Sequence, residues 1–136
     1  MSKVTNNLYI GNIYQATNLG WLKERGITHI INCTQEVNNT FPYYFVYHKL
    51  NLMDTLQQPL YSSLESTHKI IENIISDGGI VLVHCYAGMS RSSSIVIYHL
   101  MRSRGWDYQT AYTYLKQRHP PTNPNPGFVR QLSMIK

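Results

Sequence analysis

The chain has 136 residues, 43% of them hydrophobic and 14% charged, with a formal charge of +5. That length suits one domain, residues 1–136, burying roughly two-thirds of its unfolded surface, and no run approaches the ~20 apolar residues that cross a bilayer. The start, "MSKVTNNLYIGN", lacks the apolar core of a secretory signal, so two cysteines read as free thiols of a cytoplasmic protein with no membrane partner.

"LYIGN" (8–12) reads as a short strand and "NLGWLKERG" (18–26) as a short helix with Gly26 as its C-terminal cap. "ITHIINC" (27–33) is almost wholly apolar, as in a strand covered on both faces of a parallel sheet. "YYFVYHKLNL" (43–52) is a third strand, followed by a mobile polar loop, "MDTLQQP". From Ser62 to Asp77, Leu64, Ile71, Ile74 and Ile75 return to one helical stripe, and Ser62 with Glu65 fits a capping box. Gly78-Gly79 turns the chain into the strand "IVLVH" (80–84). "SSSIVIYHLMRSRG" is apolar around most of its circumference, which predicts a buried helix ending at Gly105. Asp107 caps a helix over 108–118, Pro120-Pro121 ends it, and a last helix begins near Asn125 with Pro126 in its first turn. Strands alternating with helices predict an α/β fold with a mostly parallel central sheet and helices on both faces.

Ligands of such sheets bind at the carboxyl ends of the strands, and Cys85 stands at one of those ends. The segment "HCYAGMSRS" joins a strand to a helix N-terminus, where loop amides and the helix dipole make an anion cradle. The cradle comprises Tyr86, Ala87, Gly88, Met89, Ser90 and Arg91. Gly88 permits a left-handed turn, and the guanidinium of Arg91 grips two oxygens of a phosphate. No lysine follows the glycine in register, so this is not the nucleotide-binding GxxxxGK[ST] loop. The same positive field favours the thiolate of Cys85, a nucleophile at the floor of the cradle. A strand-end cysteine alone would read as packing; the conjunction of Cys85, Gly88, Arg91 and a helix start reads as chemistry.

"HCYAGMSRS" resembles the HCxxGxxR(S/T) signature of the cysteine-dependent protein tyrosine phosphatases, and its AGxSRS form resembles the dual-specificity branch. "LYIGN", "ITHIINCT" and "NPGFVRQL" extend the likeness over essentially the whole chain. The resemblance implies hydrolysis of phosphotyrosine and phosphoserine or phosphothreonine in proteins through a cysteinyl-phosphate, with no cofactor and no metal. It also implies that Ser92 hydrogen-bonds the departing thiolate and that Asn125, in the PNxGF stretch, braces the cradle; Asn125 reads equally as a helix cap. His84 is read as orienting the loop. Cys33 ends the neighbouring strand, where it either packs the core or traps an oxidised Cys85.

The leaving oxygen needs a proton, and only seven acidic residues exist. Glu24, Glu65 and Glu72 fall on predicted helices, Asp77 and Asp107 at helix ends, and Glu36 is a weak candidate after a strand. Asp54 lies in the polar loop about thirty residues before Cys85, where the resembling family places its acid. It is therefore the expected general acid. Gln57 and Gln58 follow where some relatives carry a second acid.

The alternatives are a phosphatase of a non-protein ester or a phosphate-binding module without catalysis. Tyr86, Ala87 and Met89 include no lysine to meet the extra phosphates of a phosphoinositide, and an intact Cys85 and Arg91 argue against lost catalysis. The positive charge leaves an RNA 5′-phosphate open. The twelve Lys and Arg are nevertheless scattered, as at Arg102/Arg104 and Lys116/Arg118, so no nucleic-acid partner is expected. A rhodanese-type sulfurtransferase would not need Asp54, Arg91 and Ser92 together. A monomer is expected. The sequons at Asn32 and Asn38 are read as accidental.

Overall fold

A computed structural model describes residues 2–135. Its elements run β1 (Ser2–Thr5), β2 (Leu8–Gly11), α1 (Ile13–Ala16), α2 (Leu19–Glu24), β3 (His29–Thr34), β4 (Val46–Leu52), α3 (Tyr61–Ser76), β5 (Val81–His84), α4 (Arg91–Arg104), α5 (Tyr108–Arg118) and α6 (Pro126–Ser133). The five strands form one sheet in the order β1-β2-β5-β3-β4. All neighbours are parallel except β1 and β2. β3 and β5 are buried on both faces, which accounts for apolar residues at successive positions, Ile30-Ile31 and Val81-Leu82-Val83. No helix among the described residues is long and apolar enough to cross a membrane.

The sheet separates two cores. On one face Leu82 and Ile30 pack with Ala16, Leu22, Ile27 and Phe45, under α1 and α2. On the other, Val81, Val83 and Ile31 meet Leu64 and Ile71 of α3, Ile95 and Ile97 of α4, Leu115 of α5 and Phe128 of α6. Arg91 through Met101 of α4 are all buried, so this helix runs through the larger layer with its N-terminus under the carboxyl end of β5. The α/β architecture with helices on both faces is the one the alternating pattern predicts.

The structure departs from the sequence reading in four places. β1 was not foreseen: Ser2, Lys3, Val4 and Thr5 alternate buried and exposed with one apolar side chain facing in. β4 begins at Val46 rather than Tyr43, because the chain turns after Pro42 and leaves Tyr43 and Tyr44 in solvent. Ser62 and Glu65 do not form a capping box, since α3 starts at Tyr61 behind Leu60 and has no side-chain cap. Glu65 instead faces α4, accepting from Tyr98 and Arg102. A capping box does exist at α1, where Asn12 accepts from the Gln15 amide and Gln15 Oε1 takes the Asn12 N–H at 2.9 Å. The expected caps at Asp107 and Asn125 are present, accepting from the amides of Thr110 and Phe128 at 2.9 Å each.

Candidate active site

A cavity of about 930 Å³ opens at the carboxyl ends of β5 and β3, lined by Cys85, Arg91, Asp54 and Glu36 among others. Cys85 and Arg91 are only 2% and 6% exposed. The Cys85 Sγ lies 3.1 Å from Ser92 Oγ, on the first turn of α4. Tyr86, Ala87, Met89 and Ser90 also line the cavity, whereas Gly88 is buried behind it. Gly88 has φ +70°, and a Cβ there would sit 3.0 Å from the Gly11 carbonyl oxygen, so both backbone angle and space call for glycine.

α4 starts without a side-chain cap. Ser90, the residue in the cap position, instead accepts the Asn125 N–H on its hydroxyl at 2.9 Å. The first-turn amides of a long buried helix are thus left without a capping side chain at the cavity wall, the arrangement that favours an anion. His84 donates from Nδ1 to the Cys85 carbonyl at 3.2 Å, since a carbonyl can only accept. Burial pulls His84 down to about 4, so the ring is neutral near pH 7. Ser94 donates back to the Ser90 carbonyl at 2.8 Å, while the buried Ser93 hydroxyl has no partner.

The Arg91 guanidinium makes three bonds. Nη1 and Nη2 each meet one oxygen of Glu36 at 2.7 Å, and Nη1 also donates to the Leu52 carbonyl at 3.0 Å. These use the far end of the fork and leave the edge formed by Nε–H and the second Nη2 hydrogen open for two oxygens of a ligand. The hydrogen bonds from Arg91 hold the Glu36 carboxyl down at about 2. Glu36 is therefore a charged partner of Arg91, and it was not foreseen in that role. Its place two residues beyond β3, at the strand ends where the cavity lies, was the available signal. A buried network aims it: Asn32 donates to the Val37 carbonyl at 2.7 Å and accepts from Thr34, and Lys49 donates to the Thr34 and Gln35 carbonyls. Asn32 is fully buried in that network.

Asp54 reaches the cavity from the other side. Its Oδ1 accepts from Asn125 Nδ2 at 2.8 Å, and the same amide donates to the Thr55 carbonyl at 3.1 Å. Gln58, in the same loop, accepts the Met53 N–H on its side-chain oxygen at 2.9 Å. Gln131 of α6 bonds both the Gln58 carbonyl and the Leu60 amide. The loop expected to be mobile is thus fastened to α6, and Asn125 both caps that helix and holds Asp54. Cys33, beside Cys85 on the neighbouring strand, lies wholly in the core, and burial pushes its thiol up.

Residues 8–136 match the family model described as "Dual specificity phosphatase, catalytic domain". The chain is 38% identical over 131 residues to human protein phosphatase Slingshot homolog 2, covering 96% of this chain and 9% of that protein. It is 35% identical over 131 residues to protein phosphatase Slingshot of Drosophila melanogaster, covering 96% and 12%. It therefore spans only a small part of the curated relatives it matches. Among solved structures, the human tyrosine phosphatase-like serine/threonine/tyrosine-interacting protein superposes with a TM-score of 0.92 at 33% identity, covering 97% of this chain and 92% of that one. DUSP15 superposes with a TM-score of 0.93, also at 33% identity, covering 98% and 85%. With the signature residues gathered at one cavity, the match along nearly its whole length makes this chain a member of the dual-specificity phosphatase catalytic-domain family.

Proposed function

We propose that the chain hydrolyses phosphomonoesters of tyrosine and of serine or threonine in phosphorylated proteins, through a phosphocysteine. The observation that carries this reading is the placement of Cys85, the open edge of Arg91 and Asp54 around one cavity, with Glu36, the other carboxylate there, committed to Arg91. The Cys85 thiolate attacks phosphorus and forms the S–P bond as the ester P–O bond breaks. The amides of residues 86–91 and the Nε/Nη2 edge of Arg91 carry the charge on the equatorial oxygens. Asp54 gives its proton to the leaving oxygen. As a carboxylate it then takes a proton from water, whose oxygen attacks phosphorus and releases orthophosphate and the thiolate. Ser92, 3.1 Å from the sulfur, donates its O–H to that departing thiolate. His84 holds the Cys85 carbonyl and moves no proton. We assign the activity to signalling in the cytoplasm, the reducing compartment that two free cysteines favour.

The test is turnover of a chromogenic aryl phosphate without added metal. Cys85→Ser is expected to lose at least about 10⁴-fold in kcat, because nothing else in the cavity replaces the nucleophile. Unchanged turnover in that variant would sink the mechanism. A panel of phosphopeptides, phosphoinositides and 5′-phosphorylated RNA assigns the substrate class, and preference for a non-peptide ester would overturn the protein-substrate reading.

A further inference from the structure

A cradle of amides works only if its peptide units are turned the right way, and in a trans peptide the C=O of one residue points opposite the N–H of the next. The outward carbonyls of residues 86–89 therefore decide which amides face the cavity. Tyr86 O accepts the Ile13 N–H at 2.9 Å and Met89 O accepts the Asn123 N–H at 2.7 Å, both from backbone. Gly88 O accepts from His119 Nε2 at 2.6 Å. Among the described residues, His119 is the one side chain bonded to a carbonyl of this stretch.

His119 follows α5 and is buried, 2% exposed. Because a carbonyl can only accept, Nε2 carries the proton. Nδ1 is then an acceptor, and the Ser2 hydroxyl of β1 donates to it at 2.7 Å. Burial lowers the affinity of the ring for a second proton. Thr122 anchors the segment from the other side by donating to the His119 carbonyl at 2.7 Å. Both ring nitrogens and the backbone of His119 are thus committed, and neither His119 nor Gly88 lines the cavity.

We propose that His119 is a positioning residue for the phosphate loop: by donating from Nε2 to the Gly88 carbonyl it turns the Met89 N–H into the cavity. Gly88 at φ +70° leaves the 88–89 peptide without the restraint a side chain would give, and the imidazole supplies that restraint from behind. Ser2 holds the imidazole, so β1, an edge strand remote in sequence, takes part in shaping the site. The inference rests on the proposed phosphate chemistry of the loop.

The experiment compares wild type with His119→Ala, His119→Gln and Ser2→Ala in three readouts. These are kcat and KM for an aryl phosphate, the inhibition constant of orthovanadate, and the shift of the Met89 amide resonance on adding inorganic phosphate. His119→Ala is expected to weaken vanadate binding and lower kcat/KM about tenfold or more, with a lost Met89 response, as for removal of a buried hydrogen bond. His119→Gln, whose amide N–H can reach the same carbonyl, is expected to recover most of both, and Ser2→Ala to show a smaller loss. Should His119→Ala fail to fold, His119→Met, of similar size and without a donor, replaces it. A non-donor variant that lowers only the melting temperature, with vanadate affinity and the Met89 response within twofold of wild type, overturns the inference. So does a stable His119→Gln as defective as the non-donor variant. A wild type that binds phosphate at Met89 but turns over no ester overturns the phosphatase reading and leaves the role of His119 to be decided by the resonance alone.

Discussion

The loop that carries Cys85 and the loop that carries Asp54 line the same cavity, yet they are held by different means. The first is a continuous strand–turn–helix segment whose residues 88, 90 and 91 are buried and whose carbonyls are tied by short bonds. The second is exposed over most of residues 53–59 and hangs on side-chain amides of Asn125 and Gln131. The proposed nucleophile and phosphate grip are therefore preorganised by local sequence, while the proposed acid is placed by contacts some seventy residues away along the chain. On the proposed mechanism, a mutation can disable protonation of the leaving group and leave phosphate binding intact.

The sharpest way to test that separation is Asp54→Asn. We expect a loss of roughly 10²–10⁴-fold in kcat, larger for poor leaving groups than for good ones, with unchanged vanadate affinity; an equal loss for both leaving-group classes would remove Asp54 as the acid. Gly127→Ala comes next. A Cβ at Gly127 would lie 2.2 Å from the Leu56 carbonyl oxygen, so the acid loop must shift. Displacements near 1 Å can cost about 10²-fold, and the loss should again depend on the leaving group. Equal loss of vanadate binding would show that the two loops are not independent.

Asn125→Ala removes both a helix cap and the hold on Asp54. It is expected to cost about 1 kcal/mol of stability and about tenfold in kcat, measured by urea unfolding and steady-state kinetics. Full activity at reduced stability would make Asn125 a cap and nothing more.

The last test concerns acid. Burial brings both His84 and His99 down to about 4 in the folded protein, so between about pH 6.5 and 4 the unfolded chain binds more protons. Stability should then fall as pH drops through that window, by about 1.4 kcal/mol per pH unit for each histidine, and these two should add nothing below it. Both lie on the Cys85 side of the cavity, His84 before Cys85 and His99 within α4. Glu36, held at about 2, keeps its charge in the folded protein across that window, so its pair with Arg91 persists until the protein unfolds. Urea unfolding from pH 7 to 4.5 checks this, and His99→Gln should show a slope shallower by about one proton; an unchanged slope would contradict it.

The same contrast explains what the sequence made legible. β5, the loop and α4 are contiguous, so apolar run, glycine and arginine announced them together. The sheet core was readable because β3 and β5 are buried on both faces. β1 has no legible pattern because an edge strand with one inward apolar residue looks like a polar terminus, and α1 has none because four residues are too few for a helical period. The capping box was sought at Ser62 and occurs at Asn12, because Leu60 is drawn into the core and α3 begins there, ahead of the serine. Asp54 could be singled out only by elimination and family likeness. Its anchor Asn125, and the pairing of Glu36 with Arg91, are long-range contacts with no local pattern.

The strand order has a consequence for how the molecule comes to be active. Among the described residues, β5 is the only strand that joins the β1–β2 hairpin to the β3–β4 pair, and it comes after all of them in the chain. Without β5 the two strand pairs share no strand to join them. Insertion of β5 closes loops of many tens of residues at once, a slow kind of step, and the residue that follows it is Cys85. The proposed nucleophile thus enters its setting with the strand that completes the sheet, so recovery of activity should track the last cooperative phase of refolding rather than any earlier collapse.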